Sequence, residues 1–185
     1  MKKDGRSVIF MPSSDFHFSA EDIGALLAYV KSAPPVDRSL PEMSVGPLAR
    51  ALGLFADFPL AAAARIDHSQ SRVAQTPNSS DAVATGGYLV DSAGCRGCHG
   101  ANLTGGGGPP PGASNITPAG IGDWSEPDFF VALRTHKRPN GSEISESMPR
   151  TYGEMSDDDL RRILGYLRSV PAAGQKTANQ QRTGG

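Results

Sequence analysis

The chain has 185 residues and is rich in glycine and proline, with 22 and 15 copies. It contains one Trp, four Tyr and seven Phe, so aromatic side chains alone are a poor source of core volume. A formal charge of −1 provides no basic surface for phosphates, which argues against nucleic acid as a partner. Two cysteines exclude a framework of several disulfides and leave redox, metal or cofactor chemistry.

The apolar stretches are interrupted, or shorter than the ~20 residues that a membrane-spanning helix requires. The opening Met1-Lys2-Lys3 is basic, but no apolar run of useful length follows it before Pro12. The sequence therefore predicts neither a transmembrane helix nor a signal peptide within its own length.

Helical patterns dominate and no convincing alternating strand is present, so we expect an all-α fold. The first predicted helix begins after Ser19 and ends before Pro34, and a weaker helical pattern covers residues 46–56. Residues 67–80 are polar and have the composition of a linker. Three further helices are predicted in the second half: residues 85–92, a helix capped by Ser125, and a helix capped by Ser156.

Sliding the chain along itself by 137 residues reveals an internal repeat. Eight of the 24 positions in 11–34 are identical to their counterparts in 148–171, and the amphipathic patterns coincide. Amphipathic helices resemble one another readily, but the match of Met11-Pro12 with Met148-Pro149 does not follow from that. The pattern indicates a duplication. The same shift places the counterpart of Cys95 before the first residue, so the first copy is expected to lack its front half.

Cys95-Arg96-Gly97-Cys98-His99 has the C-x-x-C-H pattern of a c-type haem attachment site. The two thiols add across the vinyl groups of the porphyrin, and the adjacent histidine can then reach the iron as the proximal ligand. A covalently held haem also supplies apolar volume to a domain with few aromatic residues. We therefore expect one haem c, attached at Cys95 and Cys98, with His99 on the iron.

Other uses of the cysteine pair remain as alternatives. A thiol-disulfide oxidoreductase needs the pair at the start of a helix that follows a strand, whereas here a predicted helix precedes the pair and glycine follows it. A zinc site needs four ligands, and the consecutive Cys98 and His99 converge poorly on one ion. A haem enzyme with an open iron position and peroxidase-like activity is a third alternative.

The sixth ligand of such an iron is commonly methionine or histidine. The candidates after the motif are Met148, Met155 and His136. Met155 directly precedes a helix cap, where an apolar residue usually packs onto the helix, and His136 lies beside basic residues, where we expect it to be solvated. The repeat pairs Met11 with Met148 but Phe18 with Met155, which favours Met148 as the ligand.

Further contacts to the haem are predicted around this centre. A proline carbonyl is expected to accept the proximal imidazole N–H, the usual means of fixing a metal-binding histidine. The candidates are Pro109, Pro110 and Pro111. Trp124 and Asn115 are candidates for hydrogen bonds to the haem propionates; alternatively, Trp124 fills core and Asn115 shapes a turn.

The motifs together resemble those of class I c-type cytochromes of the diheme, multi-domain kind, including the cytochrome subunits of bacterial alcohol and sugar dehydrogenases. The matching segments are Gly87–Val90, Cys95–Gly100, Leu103–Gly106, Asn115–Pro118, Gly120–Ser125, Met148-Pro149 and Met155–Ser169. The resemblance implies thioether bonds at Cys95 and Cys98 and axial ligation by His99 and Met148. It also implies an electron carrier rather than an enzyme, which accepts electrons from a dehydrogenase or quinol-linked donor and passes them to an oxidase or another cytochrome.

We accordingly expect residues 1–35 to be the C-terminal half of a first cytochrome c domain, and 36–80 a linker with one helix. Residues 81–172 are expected to form a complete domain of about four short helices around a covalent haem, followed by a disordered tail at 173–185. Met11 is then a ligand of a missing first haem. Because haem c is attached after export, the protein is expected in the periplasm, with an export signal in a longer gene product.

Overall fold

The structure is a computed structural model that describes residues 17–36, 46–48, 51, 73–106 and 112–172. The chain divides into two compact units, residues 1–76 and 77–185. The described residues form helices and no strand, which confirms the predicted all-α class. No helix within these ranges is long and apolar enough to cross a membrane. Several predictions fall outside them: Met11, most of 46–56, the three prolines 109–111 and the tail.

In the first unit, α1 spans Ala20–Ser32. Ser19 caps it by accepting a hydrogen bond from the Asp22 backbone N–H at 3.1 Å, which confirms the predicted start. None of the side chains of α1 is buried. Ile23 is 38% exposed and Leu27 is 53% exposed, so the apolar face of α1 is open.

The helices of the second unit are α2 (Ala82–Ser92), α3 (Cys95–His99), α4 (Pro118–Ile121), α5 (Glu126–Thr135), a 3₁₀ helix (Arg150–Glu154) and α6 (Asp157–Ser169). Asp81, Ser125 and Ser156 cap α2, α5 and α6, each accepting a backbone N–H from three residues on. The helices predicted after Ser125 and Ser156 are confirmed. α2 begins at Ala82 rather than at residue 85, because Asp81 caps it.

α2 and α6 pack against each other at very short range. A methyl group added to Gly86 would lie 2.0 Å from the Arg162 carbonyl oxygen, and one on Gly87 would lie 2.9 Å from the Tyr166 ring. The two glycines therefore allow the backbones to approach closely. The buried face of α6 consists of Leu160, Ile163, Leu164 and Leu167.

α1 and α6 are matching helices from the two copies of the repeat. Both have 13 residues, and the shift of 137 residues superposes their bounds. Their capping serines accept equivalent hydrogen bonds of 3.1 Å. At the other end, the hydroxyls of Ser32 and Ser169 donate to the carbonyls of Tyr29 and Tyr166, at 2.7 Å in each helix. The two helices differ in that the apolar face of α6 is buried and that of α1 is not.

Candidate functional site

A cavity of about 560 Å³ lies within the second unit. Its volume falls in the range of about 300–1,000 Å³ that is typical of ligand and cofactor pockets. Its walls come from α2, α3, α4, α5, the 3₁₀ helix and α6 and from the loops between them, and many of the lining side chains are apolar. The cavity brings together six of the residues singled out from the sequence: Cys95, His99, Asn115, Trp124, Met148 and Met155.

His99 ends α3 and is 8% exposed. Its Nδ1 lies 2.7 Å from the Ser114 carbonyl oxygen. Because a carbonyl oxygen can only accept, in the neutral imidazole Nδ1 carries the proton and Nε2 has the free lone pair. This tautomer, fixed by a backbone carbonyl, is the one that a metal-binding histidine needs.

The acceptor of the His99 N–H was expected among Pro109, Pro110 and Pro111, and that prediction was wrong. After α3 the chain turns through glycines, and the Ile116 N–H bonds to the Leu103 carbonyl at 3.0 Å. This pairing brings residue 114 beside the imidazole. The kind of partner was predicted correctly, but its position depends on the path of a long loop.

The two cysteines lie in different environments. Cys95 lines the cavity, and burial raises the pKa of its thiol to about 11. Cys98 is exposed. A redox-active pair needs an accessible first cysteine with a lowered pKa, so this arrangement disfavours a thiol-disulfide oxidoreductase. Within the described part of the chain, no group of three or more His, Cys, Asp or Glu side chains is placed to hold a metal ion, which leaves the zinc alternative without support.

Arg96, inside the attachment motif, fixes the position of the motif by hydrogen bonds, a role that the sequence did not suggest. Its Nε donates to the Asp91 carboxylate at 2.6 Å, and its Nη2 donates to the Tyr166 hydroxyl at 2.6 Å. A further bond runs from Nη1 to the Ala101 carbonyl. These contacts tie the attachment motif to α2, to α6 and to the following loop.

Both candidate methionine ligands are half-buried and line the cavity. Met155 also packs against the hydrophobic core, as expected for a residue that precedes a helix cap. Met148 lies in a turn, where its N–H bonds to the Ser145 carbonyl at 2.9 Å. Met148, unlike Met155, is not among the partly buried residues that pack against the hydrophobic core.

His136 is buried, at 4% exposure, and the expectation that it is solvated was wrong. α5 ends at this residue in the left-handed conformation, with φ of 57°, and the Ile144 N–H bonds to its carbonyl at 2.8 Å. The chain therefore folds back over it despite its basic neighbours. His136 does not line the cavity, so it is not placed beside the other candidate ligands.

Asn115 shapes a turn as well as lining the cavity. Its Oδ1 accepts hydrogen bonds from the Thr117 backbone N–H and hydroxyl, each at 2.8 Å, at the start of α4. Arg138 also lines the cavity and was missed, since the sequence showed only a run of basic residues. Its Nη2 lies 3.4 Å from the Ser114 hydroxyl, next to the carbonyl that holds His99.

Tyr152 is a further cavity residue that the sequence did not indicate. Its hydroxyl donates to the Ala93 carbonyl at 2.7 Å. Burial, together with the nearby Cys95 and Cys98, raises the pKa of Tyr152 above its ordinary value. The hydroxyl is therefore protonated, and able to donate, across the neutral pH range.

A family model for cytochrome c matches residues 83–171. The second unit is a cytochrome c domain. The chain is 32% identical over 190 residues to the fructose dehydrogenase cytochrome subunit of Gluconobacter japonicus, a match that covers 89% of this chain and 37% of that protein. It is 36% identical over 98 residues to the gluconate 2-dehydrogenase cytochrome c subunit of Pantoea cypripedii, covering 46% of this chain and 22% of that protein. The chain thus spans well under half the length of either relative.

The predicted resemblance to cytochrome subunits of dehydrogenases is confirmed. The cytochrome c domain has residues that fit haem c. A largely apolar cavity contains a histidine whose Nε2 is free, and Cys95 of the attachment motif stands in its wall. Met148 and Met155 line the same cavity. The donor set of imidazole and thioether is one that haem iron accepts.

Proposed function

We propose that this chain carries single electrons through one haem c, attached at Cys95 and Cys98, with His99 and Met148 as the axial ligands. The observation that carries the proposal is the His99 imidazole, whose Nδ1 is held by the Ser114 carbonyl at 2.7 Å. Its Nε2 is thereby kept for a metal in a cavity that Met148 also lines. When bound, the haem iron supplies a ferric/ferrous couple.

The residues of the domain would hold the haem and set its reduction potential. Thioether bonds at Cys95 and Cys98 would prevent loss of the cofactor, and His99 and Met148 would hold the iron with little structural change between the oxidation states. A methionine ligand raises the potential relative to a site with two histidines. Trp124 and Asn115 are proposed to contact the propionates, Asn115 through its amide NH₂ because its Oδ1 is taken by Thr117.

The two cysteines of the chain provide for one haem. For the electron donor we propose a sugar or alcohol dehydrogenase or a quinol-linked complex, because the matched relatives are named as subunits of fructose and gluconate dehydrogenases. The acceptor is an oxidase or another cytochrome. Docking is expected to be transient, since redox encounters bury little surface. A periplasmic location follows from attachment of haem c after export.

We also propose that residues 1–35 are the C-terminal half of a first cytochrome c domain, followed by a linker at 36–80, a complete domain at 81–172 and a tail. The equivalence of α1 and α6 in bounds, cap and last turn supports this division. In the second unit α2 packs on α6, so α1 is expected to need a helix of the same kind. Met11, the counterpart of Met148, is proposed as a ligand belonging to that first domain.

The ligand assignment is tested by paired methionine variants of the oxidised, haem-loaded protein. Met148→Ala is expected to abolish the weak far-red charge-transfer band that a methionine-ligated ferric haem shows, because the thioether sulfur is removed from the iron. Met155→Ala removes a similar side chain from the same cavity and is expected to keep the band. Loss of the band in Met155→Ala alone would contradict the assignment, and its absence from the unmodified protein would favour an open-site haem enzyme.

A further inference from the structure

The segment that carries Met148 crosses the cavity wall between α5 and α6. Within this segment, residues 145–155, the described hydrogen bonds are mostly local, as between the Met148 N–H and the Ser145 carbonyl. Gly153 lies close to α5, since a methyl group there would be 2.9 Å from the Leu133 carbonyl oxygen. Among the described residues, the hydrogen bond of the segment to another part of the chain is that from Tyr152 to Ala93.

Ala93 is the C-cap residue of α2, two residues before Cys95, and it also lines the cavity. The carbonyl of a residue at a helix C-terminus has no partner within its helix and needs an external donor. The Tyr152 hydroxyl meets this need at 2.7 Å across 59 residues of sequence. The bond therefore links the segment of the proposed distal ligand to the segment in which the haem is attached.

We propose that the hydrogen bond from Tyr152 to Ala93 holds the Met148 segment closed and so limits how often Met148 leaves the haem iron. Tyr152 is a positioning residue, since it acts through the segment rather than on the iron. The inference rests on the proposed function, because it takes Met148 as the axial ligand. Removing the hydroxyl oxygen of Tyr152, which is four residues from Met148, is therefore expected to let Met148 leave the iron more often. The Met148 thioether and the Tyr152 ring are kept.

The test is the rate at which cyanide binds to the oxidised, haem-loaded protein, because cyanide reaches the iron only after Met148 has left. Tyr152→Phe keeps the ring in the cavity wall and removes the hydroxyl. It is expected to retain the far-red band and to bind cyanide about three- to tenfold faster, the change that the net value of one neutral hydrogen bond gives to an opening equilibrium.

Tyr166→Phe is the matched control. It also removes a tyrosine hydroxyl that contacts the attachment motif, through the 2.6 Å bond with Arg96, but it leaves the Met148 segment untouched. A general loss of stability would speed cyanide binding alike in both variants, whereas the proposal predicts acceleration in Tyr152→Phe alone.

Two results would overturn the inference in distinguishable ways. Suppose that the unmodified protein shows the far-red band and that Tyr152→Phe binds cyanide as slowly as the unmodified protein does. The hydrogen bond from Tyr152 to Ala93 then does not control the release of Met148, and the proposed function stands. If the unmodified protein lacks the band and binds cyanide without delay, Met148 is not the ligand, and both proposals fall.

Discussion

Arg138 places a guanidinium group in the wall of the haem cavity. A tight turn holds it there: the Arg138 N–H bonds to the Ser142 carbonyl at 2.8 Å, and the side chain donates to the Glu143 carbonyl. A positive charge beside an iron centre favours the reduced state, which carries one positive charge less. Arg138 is therefore expected to raise the reduction potential of the haem.

Arg138→Gln is predicted to lower the reduction potential. The expected change in the free energy of reduction is on the order of 1 kcal/mol, the size of a charge interaction that is partly screened by water. Arg138→Lys keeps the charge and is expected to stay closer to the unmodified protein. Arg150→Gln removes an exposed arginine that does not line the cavity, and it serves as the control. Spectroelectrochemical titration measures all of them, and equal potentials in the Arg138 and Arg150 variants would refute the prediction.

At the residue scale, the sequence indicated the chemically active residues of the site better than the residues that hydrogen-bond to them. Cys95 and His99 could be predicted to lie at one site because the attachment motif is contiguous, and Met148 was chosen because of the repeat and its Pro neighbour. All three line the cavity, and their roles toward the haem stay predictions. Ser114 and Tyr152 could not be predicted, because their contacts depend on loop paths that no local spacing encodes. His136 was misjudged because charged neighbours in sequence say little about burial when the chain reverses direction.

At the scale of elements, α1 and α6 share a sequence pattern but differ in the burial of their apolar faces. α6 buries its leucines against the second unit, with Leu164 at 1% exposure. The matching Leu27 of α1 is 53% exposed. The pattern that makes both helices amphipathic therefore does not determine whether the apolar face is covered.

Leu164→Ala is predicted to destabilise the haem-loaded protein by about 2–5 kcal/mol, the usual cost of deleting a buried leucine side chain. Leu27→Ala, the same change at the equivalent position, is predicted to alter the free energy of unfolding by about 0.5 kcal/mol or less. Urea unfolding followed by circular dichroism gives both values. A cost at Leu27 as large as that at Leu164 would show that the apolar face of α1 is packed and would contradict this prediction.

Helices with strong capping residues were predictable from the sequence. Ser19, Ser125 and Ser156 each precede a periodic apolar pattern, and each begins a helix in the structure. The short helices α3 and α4 were not predicted, because four or five residues carry too little periodicity to be recognised. Their positions follow from tertiary contacts instead, such as those of Arg96 with α2 and α6.

At the scale of the whole molecule, the cytochrome c domain is organised around its cavity. α2 and α6 pack closely against each other at Gly86 and Gly87. The domain has few aromatic side chains, and a flat apolar cofactor would fill its cavity. The Arg96 and Tyr152 hydrogen bonds join the attachment motif to the elements on either side of it. The proposed electron transfer therefore requires a haem that is covalently bound to this domain.

The most direct test is the pyridine haemochrome spectrum of the purified protein, matured with an export signal, after extraction of any unbound haem with acidified acetone. The account predicts one haem c per chain remaining with the polypeptide, with the spectrum of a porphyrin whose two vinyl groups have become thioethers. Haem that is removed entirely by the solvent, or a polypeptide with no haem, would contradict it.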